Sequence, residues 1–363
     1  GERIEISPEL LGPPSLMDRL KPFARGAAVV AAIALLVVLG VKVKDYIEYQ
    51  EQVRWARDEA MPAIREMMQT MWRDFSEPYA LAVKAEAIIP DDPELGQIME
   101  SISMQIDVES QPPGATAYYK NYNTPEAEWI SLGTTPVRQV RLPVGIFRWK
   151  FELEGHATVL AAASTWDVNV ASGSDLLMPS NLFRKLDSKE GLPPGMVRAQ
   201  GAETPQGLIG DFFIDQFEVS NAQYKKFVDA GGYTNPEYWR EEFIADGQIL
   251  NWEEAVSRFV DSTGRPGPSN WIGGHYPERL ENHPVSGVSW YEADAYARFA
   301  GKELPTEVHW GIARGEYSPL IDWPQLGGYA TFAPFSNVGG NGTVAVGSLP
   351  GFTAYGALSL IHI

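Results

Sequence analysis

Ser289, Glu292, Gly301 and Thr306 fix the path of this chain more tightly than any other set of residues in it. A serine followed three residues on by a glutamate is a capping box, so a helix is expected to start at Trp290. Ala293, Ala295, Ala297 and Phe299 carry that helix forward, and Gly301, which accepts the left-handed backbone, stops it. Leu304, Pro305 and Thr306 then read as a stiff turn, with Thr306 capping a second short helix that holds Trp310. Upstream, Ser220 with Gln223 repeats the capping box and predicts a helix that buries Tyr224, Phe227 and Val228.

Around these signals lie 363 residues, too many for one small core, so two or three domains are expected. A formal net charge of −18 argues against nucleic acid as a partner, because phosphate recognition needs clustered Lys and Arg. The chain has no cysteine, which removes disulfides, thiolate catalysis and Cys-ligated metals from it. Its histidines, His156, His275, His283, His309 and His362, show no metal-ligand spacing.

Gly26 to Val41 form a run of 16 uncharged residues. A helix of that length covers roughly 24 Å. With Arg25 and Lys42 snorkelling, the usable stretch extends to Phe23–Val43 and is expected to be a single-pass transmembrane helix, a signal sequence being the other reading. Basic residues flank both ends, so charge leans only slightly towards a cytoplasmic N-terminus. The expected partner is then a membrane, and the expected location a bacterial inner membrane, with residues after 44 periplasmic or extracytoplasmic.

Residues 44–102 read as a helical hairpin. Ile64, Met67, Met68, Met71 and Phe75 form one apolar stripe, Pro62 suits a first helical position, and a turn near Ser76 leads to a helix over Tyr79–Ile89. The stripe is either the hairpin core or a Met-rich groove. From Met104 the period drops to two, with strands expected over Met104–Ser110, Ala115–Tyr119, Trp129–Leu132, Thr135–Leu142 and Phe147–Leu153, the last in strict alternation. The unit over 103–186 is therefore a small all-β domain. A polar stretch with Gly and Pro over 187–194 reads as a boundary before a further unit over 195–358. Within that unit Trp239, Trp252 and Trp271 either line a ligand cleft or pack a fold with little regular structure.

The order of Pro113-Gly-Ala115, Gly133-Thr-Thr-Pro136, Leu142-Pro-Val-Gly145 and Gly155 resembles the PEGA domain, with Pro113 where that family has an acidic residue. The resemblance implies a scaffold or partner-binding module. The segments Gly210–Asp229 and Pro284–Trp310, with Asn337-Val-Gly-Gly340 and Val346–Pro350, resemble the formylglycine-generating enzyme (sulfatase-modifying factor) family. That resemblance implies a C-type-lectin-like α+β fold, incomplete here, with residues 359–363 read as a foreign tail. In its enzymes two cysteines bind copper, and related iron enzymes use a histidine cluster. No catalytic centre is identified in this chain, and copper is not supported because Cys is absent. The family's calcium sites pair an Asn side chain with a main-chain carbonyl, which would fall on Asn337 and Val338; a turn role for Asn337 is the other reading.

The complete expectation is an α+β multidomain chain: juxtamembrane segment 1–22, transmembrane helix 23–43, helical hairpin, PEGA domain and partial formylglycine-generating-enzyme-like domain. That order resembles the extracytoplasmic half of bacterial receptor-like Ser/Thr kinases, although Gly1–Pro22 contain none of the kinase motifs. The implied function is sensing of a protein, peptide or glycan ligand. The alternative is an oxidoreductase of the formylglycine-generating type whose catalytic end lies outside this sequence.

Overall fold

The computed structural model describes residues 16–71, 74–168, 177–315 and 332–358. Residues 1–15 and the expected tail at 359–363 lie outside the described residues. The chain divides into two units, Gly1–Trp72 with Glu77–Ser101, and Arg73–Ser76 with Ile102–Ile363.

The first unit is helical. Helix α1 (Leu16–Trp55) passes through a π-helical turn, Ala56–Ala60, into α2 (Met61–Thr70), followed by α3 (Ser76–Glu86) and α4 (Pro93–Ile102). Pro62 sits in the first turn of α2, directly after the π-helical turn. Asp92 caps α4, its carboxylate accepting from the Glu94 and Leu95 amides at 3.1 and 3.3 Å. Ala56, Ala60, Ile64, Ala82, Ala85 and Leu95 are buried in this unit. The apolar stripe is shorter than its spacing predicts, because α2 stops at Thr70 and Met71 adopts an extended backbone.

The membrane-spanning expectation is corrected here. Among the described residues no helix is long and apolar enough to cross a membrane. The uncharged run supplies only 16 residues, and the longer span over 23–43 depended on drawing in Arg25 and Lys42. A hydrocarbon core of about 30 Å asks for about 20 apolar residues. With the transmembrane helix go the single-pass anchor, the membrane as partner and the inner-membrane location.

The second unit opens with strands β1 (Ser103–Gln111), β2 (Thr116–Asn121), β3 (Ile130–Thr134), β4 (Val137–Pro143), β5 (Ile146–Glu152) and β6 (Val159–Ser164). Then come β7 (Trp166–Val168), β8 (Leu177–Pro179) and β9 (Leu182–Lys185). One antiparallel sheet has the order β3-β2-β5-β6, and a second has the order β4-β1-β9 with β9 parallel to β1. Ile106, Val108, Leu142 and Leu182 from one sheet share a core with Phe147, Trp149, Phe151 and Ala161–Ala163 from the other.

Sheet faces that alternation would leave to solvent are covered. On β5 both Arg148 and Trp149 are buried, because Phe332, Phe352 and Ala354 join the same core. Hydrogen bonds fasten the segment 350–354 onto the strands. Tyr122 binds Phe352, Ala162 N–H donates to Thr353 O at 3.1 Å, Arg148 Nη1 to Pro350 O at 2.5 Å, and Arg184 Nη2 to Ala354 O at 3.0 Å.

The remainder is built from short elements: β10 (Met196–Ala199), β11 (Glu203–Thr204), β12 (Gly207–Leu208), β13 (Phe212–Asp215), α5 (Asn221–Asp229), β14 (Phe243–Ala245), β15 (Gln248–Leu250), α6 (Trp252–Val256), α7 (Trp290–Phe299) and α8 (Glu307–Arg314). Strand β10 pairs antiparallel with β13. Both capping boxes form as the spacing predicts, Ser220 with Gln223 and Ser289 with Glu292. Backbone bonds join the two helix starts, Val285 N–H to Val219 O at 2.8 Å and Asn221 N–H to His283 O at 2.9 Å. Between them lies an aromatic core of Tyr224, Phe227, Tyr233, Trp239, Phe243 and Trp271.

Candidate functional site

The end of α7 places the first charged residue of the site. Gly301 takes φ +70°, its N–H donates to Arg298 O at 3.0 Å, and Lys302 N–H donates to Ala297 O at 2.8 Å. This double bond pattern is a Schellman cap. It turns the chain so that the Lys302 ammonium meets the Asp215 carboxylate at the end of β13. The Pro305 turn then leads into α8, where the Thr306 hydroxyl accepts from His309 N–H at 3.3 Å and lies 2.6 Å from His309 Nδ1. The imidazole rests edge-on against Phe212, with ring centres 4.8 Å apart.

These residues line an open cleft of about 1140 Å³ together with Phe213, Phe217, Tyr296 and Trp310. Two of its cations are already matched. Lys302 is paired with Asp215, and Arg298 binds Asp294 at 2.9 Å and Glu241 at 2.8 Å. Arg240 is engaged by the Glu237 carbonyl at 3.3 Å. The cleft therefore presents aromatic and aliphatic walls in which Lys302 and Arg298 are held by carboxylates, suited to holding an extended ligand.

Behind the cleft, Glu292 is 3% exposed. Its carboxylate accepts the Ser289 amide at 2.7 Å and the Tyr233 hydroxyl at 2.6 Å. Tyr233 and Tyr224 lie 3.1 Å apart through their hydroxyls. Burial, first of all, pushes both phenols far above the usual tyrosine range, and the nearby carboxylate adds to the shift. Both remain neutral donors and brace α7 against α5.

The three tryptophans singled out in the sequence lie outside the cleft lining. Trp239 is buried, stacks on Phe259 at 5.4 Å and donates to Gly232 O at 2.8 Å. Trp271 is fully buried and donates to Asn221 Oδ1 at 3.2 Å. Trp252, at the start of α6, packs against the same core, and its indole N–H is buried without a hydrogen-bond partner. The wall residues Asp215, Lys302, His309 and Trp310 were not singled out as a site. Their signal was present in the Gly301 stop and the Thr306 cap, which fix where the two ends of the cleft must lie.

Asn337 uses its side-chain nitrogen to donate to Gly342 O at 2.7 Å, closing a turn, and Val338 is exposed beside it. Among the described residues no group of three or more His, Cys, Asp or Glu is placed to hold a metal ion. Each described histidine engages a separate local partner through Nδ1: His156 with Glu154 O, His275 with Tyr276 O, His283 with Thr343 and His309 with Thr306. His362 lies outside the described residues. Among the described residues, then, no side-chain set is placed for the copper or iron centres that the family resemblance implies, and the chain has no cysteine.

Residues 183–320 match the sulfatase-modifying factor enzyme 1-like domain. The chain is similar to the formylglycine-generating enzyme of Mus musculus, 30% identical over 189 residues, which is 45% of this chain and 50% of the relative. It is similar to the hercynine oxygenase of Mycolicibacterium smegmatis, 31% identical over 170 residues, 42% of this chain and 36% of the relative. It is also similar to the serine/threonine-protein kinase pkn1 of Chlamydia pneumoniae, 31% identical over 133 residues, 36% of this chain and 19% of the relative. The chain spans about half, or less, of the length of these curated relatives. It thus carries an FGE-sulfatase domain, similar to parts of a formylglycine-generating enzyme, a hercynine oxygenase and a serine/threonine-protein kinase.

Proposed function

We propose that the FGE-sulfatase domain of this chain is a recognition domain, its cleft taking an extended peptide segment of a partner protein. The preceding β-sandwich, read as a PEGA module, acts as its rigid support, and the pair serves as the sensor region of a Ser/Thr kinase. The observation that carries this reading is the cleft itself: aromatic walls, with Lys302 and Arg298 already held by carboxylates, in a chain without a single cysteine. Matched charges give register to a bound chain, and the Glu218, Glu303 and His309 side chains in the lining add polar contacts for it. The similarity to a serine/threonine-protein kinase supports the sensor context. A cleft larger than the usual range for compact ligands, about 300–1,000 Å³, favours a segment over a small molecule.

The test is selection of linear peptides on the intact chain from a random library, with the Trp310→Ala chain as counter-screen. Peptides that bind the parent and lose affinity about tenfold or more on removal of the Trp310 ring support the reading. Failure to enrich any peptide, or enrichment indifferent to Trp310, overturns it.

The second reading, an oxidoreductase, rests on the similarity to formylglycine-generating enzyme and hercynine oxygenase. It would require a metal centre, and among the described residues no group of three or more His, Cys, Asp or Glu is placed to hold an ion.

A further inference from the structure

Apart from the cleft, a smaller cavity of about 130 Å³ lies where β6, β9 and β10 meet, with Arg184, Gln200 and Tyr355 in its wall. Arg184 is 4% exposed. Its Nη1 donates to Phe183 O at 2.8 Å and its Nη2 to Ala354 O at 3.0 Å, but Nε is buried with no partner. In the same wall Gln200 Oε1 is buried and accepts from nothing. Arg184 and Gln200, each with one buried polar atom that lacks a partner, thus line a single cavity, and a buried bond left unmade is costly.

The charge balance around the cavity is uneven. Lys185 is held by Asp211 at 2.6 Å. Arg198 is held by Asp187 through Nε at 2.8 Å and by Asp211 at 3.2 Å. Those two cations are answered by two carboxylates, whereas among the described residues Arg184 meets two carbonyl oxygens and the face of the Tyr355 ring, 5.4 Å from its centre, and no carboxylate. Burial lowers its pKa. A guanidinium nevertheless keeps its proton at neutral pH, so one positive charge is left uncompensated in the cavity wall.

The geometry points to a binding site for a small monocarboxylate that carries its own O–H or N–H, such as an α-hydroxy or α-amino acid. The carboxylate takes the free Arg184 Nε–H and neutralises the guanidinium, and the ligand's hydroxyl or amino group donates to Gln200 Oε1. At about 30 Å³ per water, the cavity has room for roughly four waters or one acid of that size. The site sits on the seam where Arg184 holds the 350–354 segment, so an occupied cavity tightens the attachment of that segment to β9.

The test is calorimetric titration of the intact chain with glycolate, acetate and chloride, paired with thermal unfolding. Glycolate is expected to bind saturably and raise Tm. Acetate, lacking a donor for Gln200, should bind about tenfold more weakly, and chloride more weakly still. Arg184 itself is a poor target because it anchors backbone carbonyls, so the variants are at Gln200. Gln200→Leu should bring glycolate down to the affinity of acetate. Gln200→Glu supplies an internal counter-charge and should abolish binding of both while raising Tm without ligand. No saturable binding of any carboxylate, or glycolate binding unchanged in Gln200→Glu, overturns the site. Equal affinities for glycolate and acetate in the parent chain overturn the donor-bearing ligand.

Discussion

The phenol of Tyr122 donates to Phe352 O at 3.0 Å and accepts from Phe352 N–H at 2.9 Å, so one side chain of the β-sandwich satisfies both backbone groups of a residue 230 positions away. Burial is the first reason its pKa is pushed up to about 12, so it stays a neutral donor and acceptor over the whole working range. Tyr122→Phe keeps the ring, its edge contacts with Phe332 and Phe352, and the Arg148 guanidinium 4.0 Å above it. It removes both bonds and leaves the Phe352 amide and carbonyl buried and unpaired. The expected cost is about 1–3 kcal/mol in urea unfolding, with amide exchange over 351–357 accelerating first.

Gly301→Ala isolates a backbone effect. No atom lies within 4 Å of where a Cβ would be placed, so sterics are not at issue. The penalty comes from φ +70° alone, about 1–2 kcal/mol. Relaxing that strain would unwind the Schellman cap and pull Lys302 off Asp215, so the variant should also change ligand affinity at the cleft. A variant of parental stability would contradict the assignment of the cap.

The two halves of the α7 capping box should not be equivalent. Ser289→Ala loses one cap bond and is expected to cost about 1 kcal/mol. Glu292→Ala loses the bond to the Ser289 amide and also the one to the Tyr233 hydroxyl, which keeps only Tyr224, and it empties a buried site, so its cost should be clearly larger. Denaturant midpoints at unchanged m-value distinguish the two; equal losses would remove Glu292 from the core network.

Asp261 ties the stability of the loop 261–274 to pH. Burial alone would raise the Asp261 carboxyl, but the Thr263 hydroxyl and the amides of Gly274, Arg265 and Thr263 outweigh it and hold the pKa well below the usual carboxylate range. A folded pKa below the unfolded value, about 3.9, gives stability that is complete above that pH and is lost as pH falls towards the folded value. The stability gap between the parent and Asp261→Asn should therefore be constant from about pH 5 to 7 and shrink below about pH 4. A gap that is flat down to pH 2 would contradict it.

Local signals carried much of this fold. Ser220, Ser289 and Thr306 cap helices where their spacing says they should, and strands β1 to β5 lie close to the segments where a period of two is read. What the sequence hides is non-local. Alternation over 147–153 places Arg148 on the polar face, yet it is buried, because its cover comes from Pro350, 202 residues further on. The parallel pairing of β9 with β1 is equally invisible to a local pattern. Trp239, Trp252 and Trp271 announced an aromatic-rich region, but composition does not say whether such rings face a ligand or one another. In the structure they pack in the core between α5 and α7, while the cleft walls come from the short Gly301–Trp310 connection. The run at Gly26–Val41 shows the opposite error: an apolar stretch read as a span by borrowing its charged flanks.

The most direct test of the recognition reading is an oxidation assay on the intact chain. It would be supplied with copper, oxygen and a cysteine-containing peptide, and the peptide followed by mass spectrometry. The account predicts a peptide whose cysteine stays unconverted beyond a copper-only blank, because this chain supplies no thiolate to bind the metal. Catalytic conversion of the cysteine to an aldehyde, abolished by Trp310→Ala, would contradict it and make the cleft an active site.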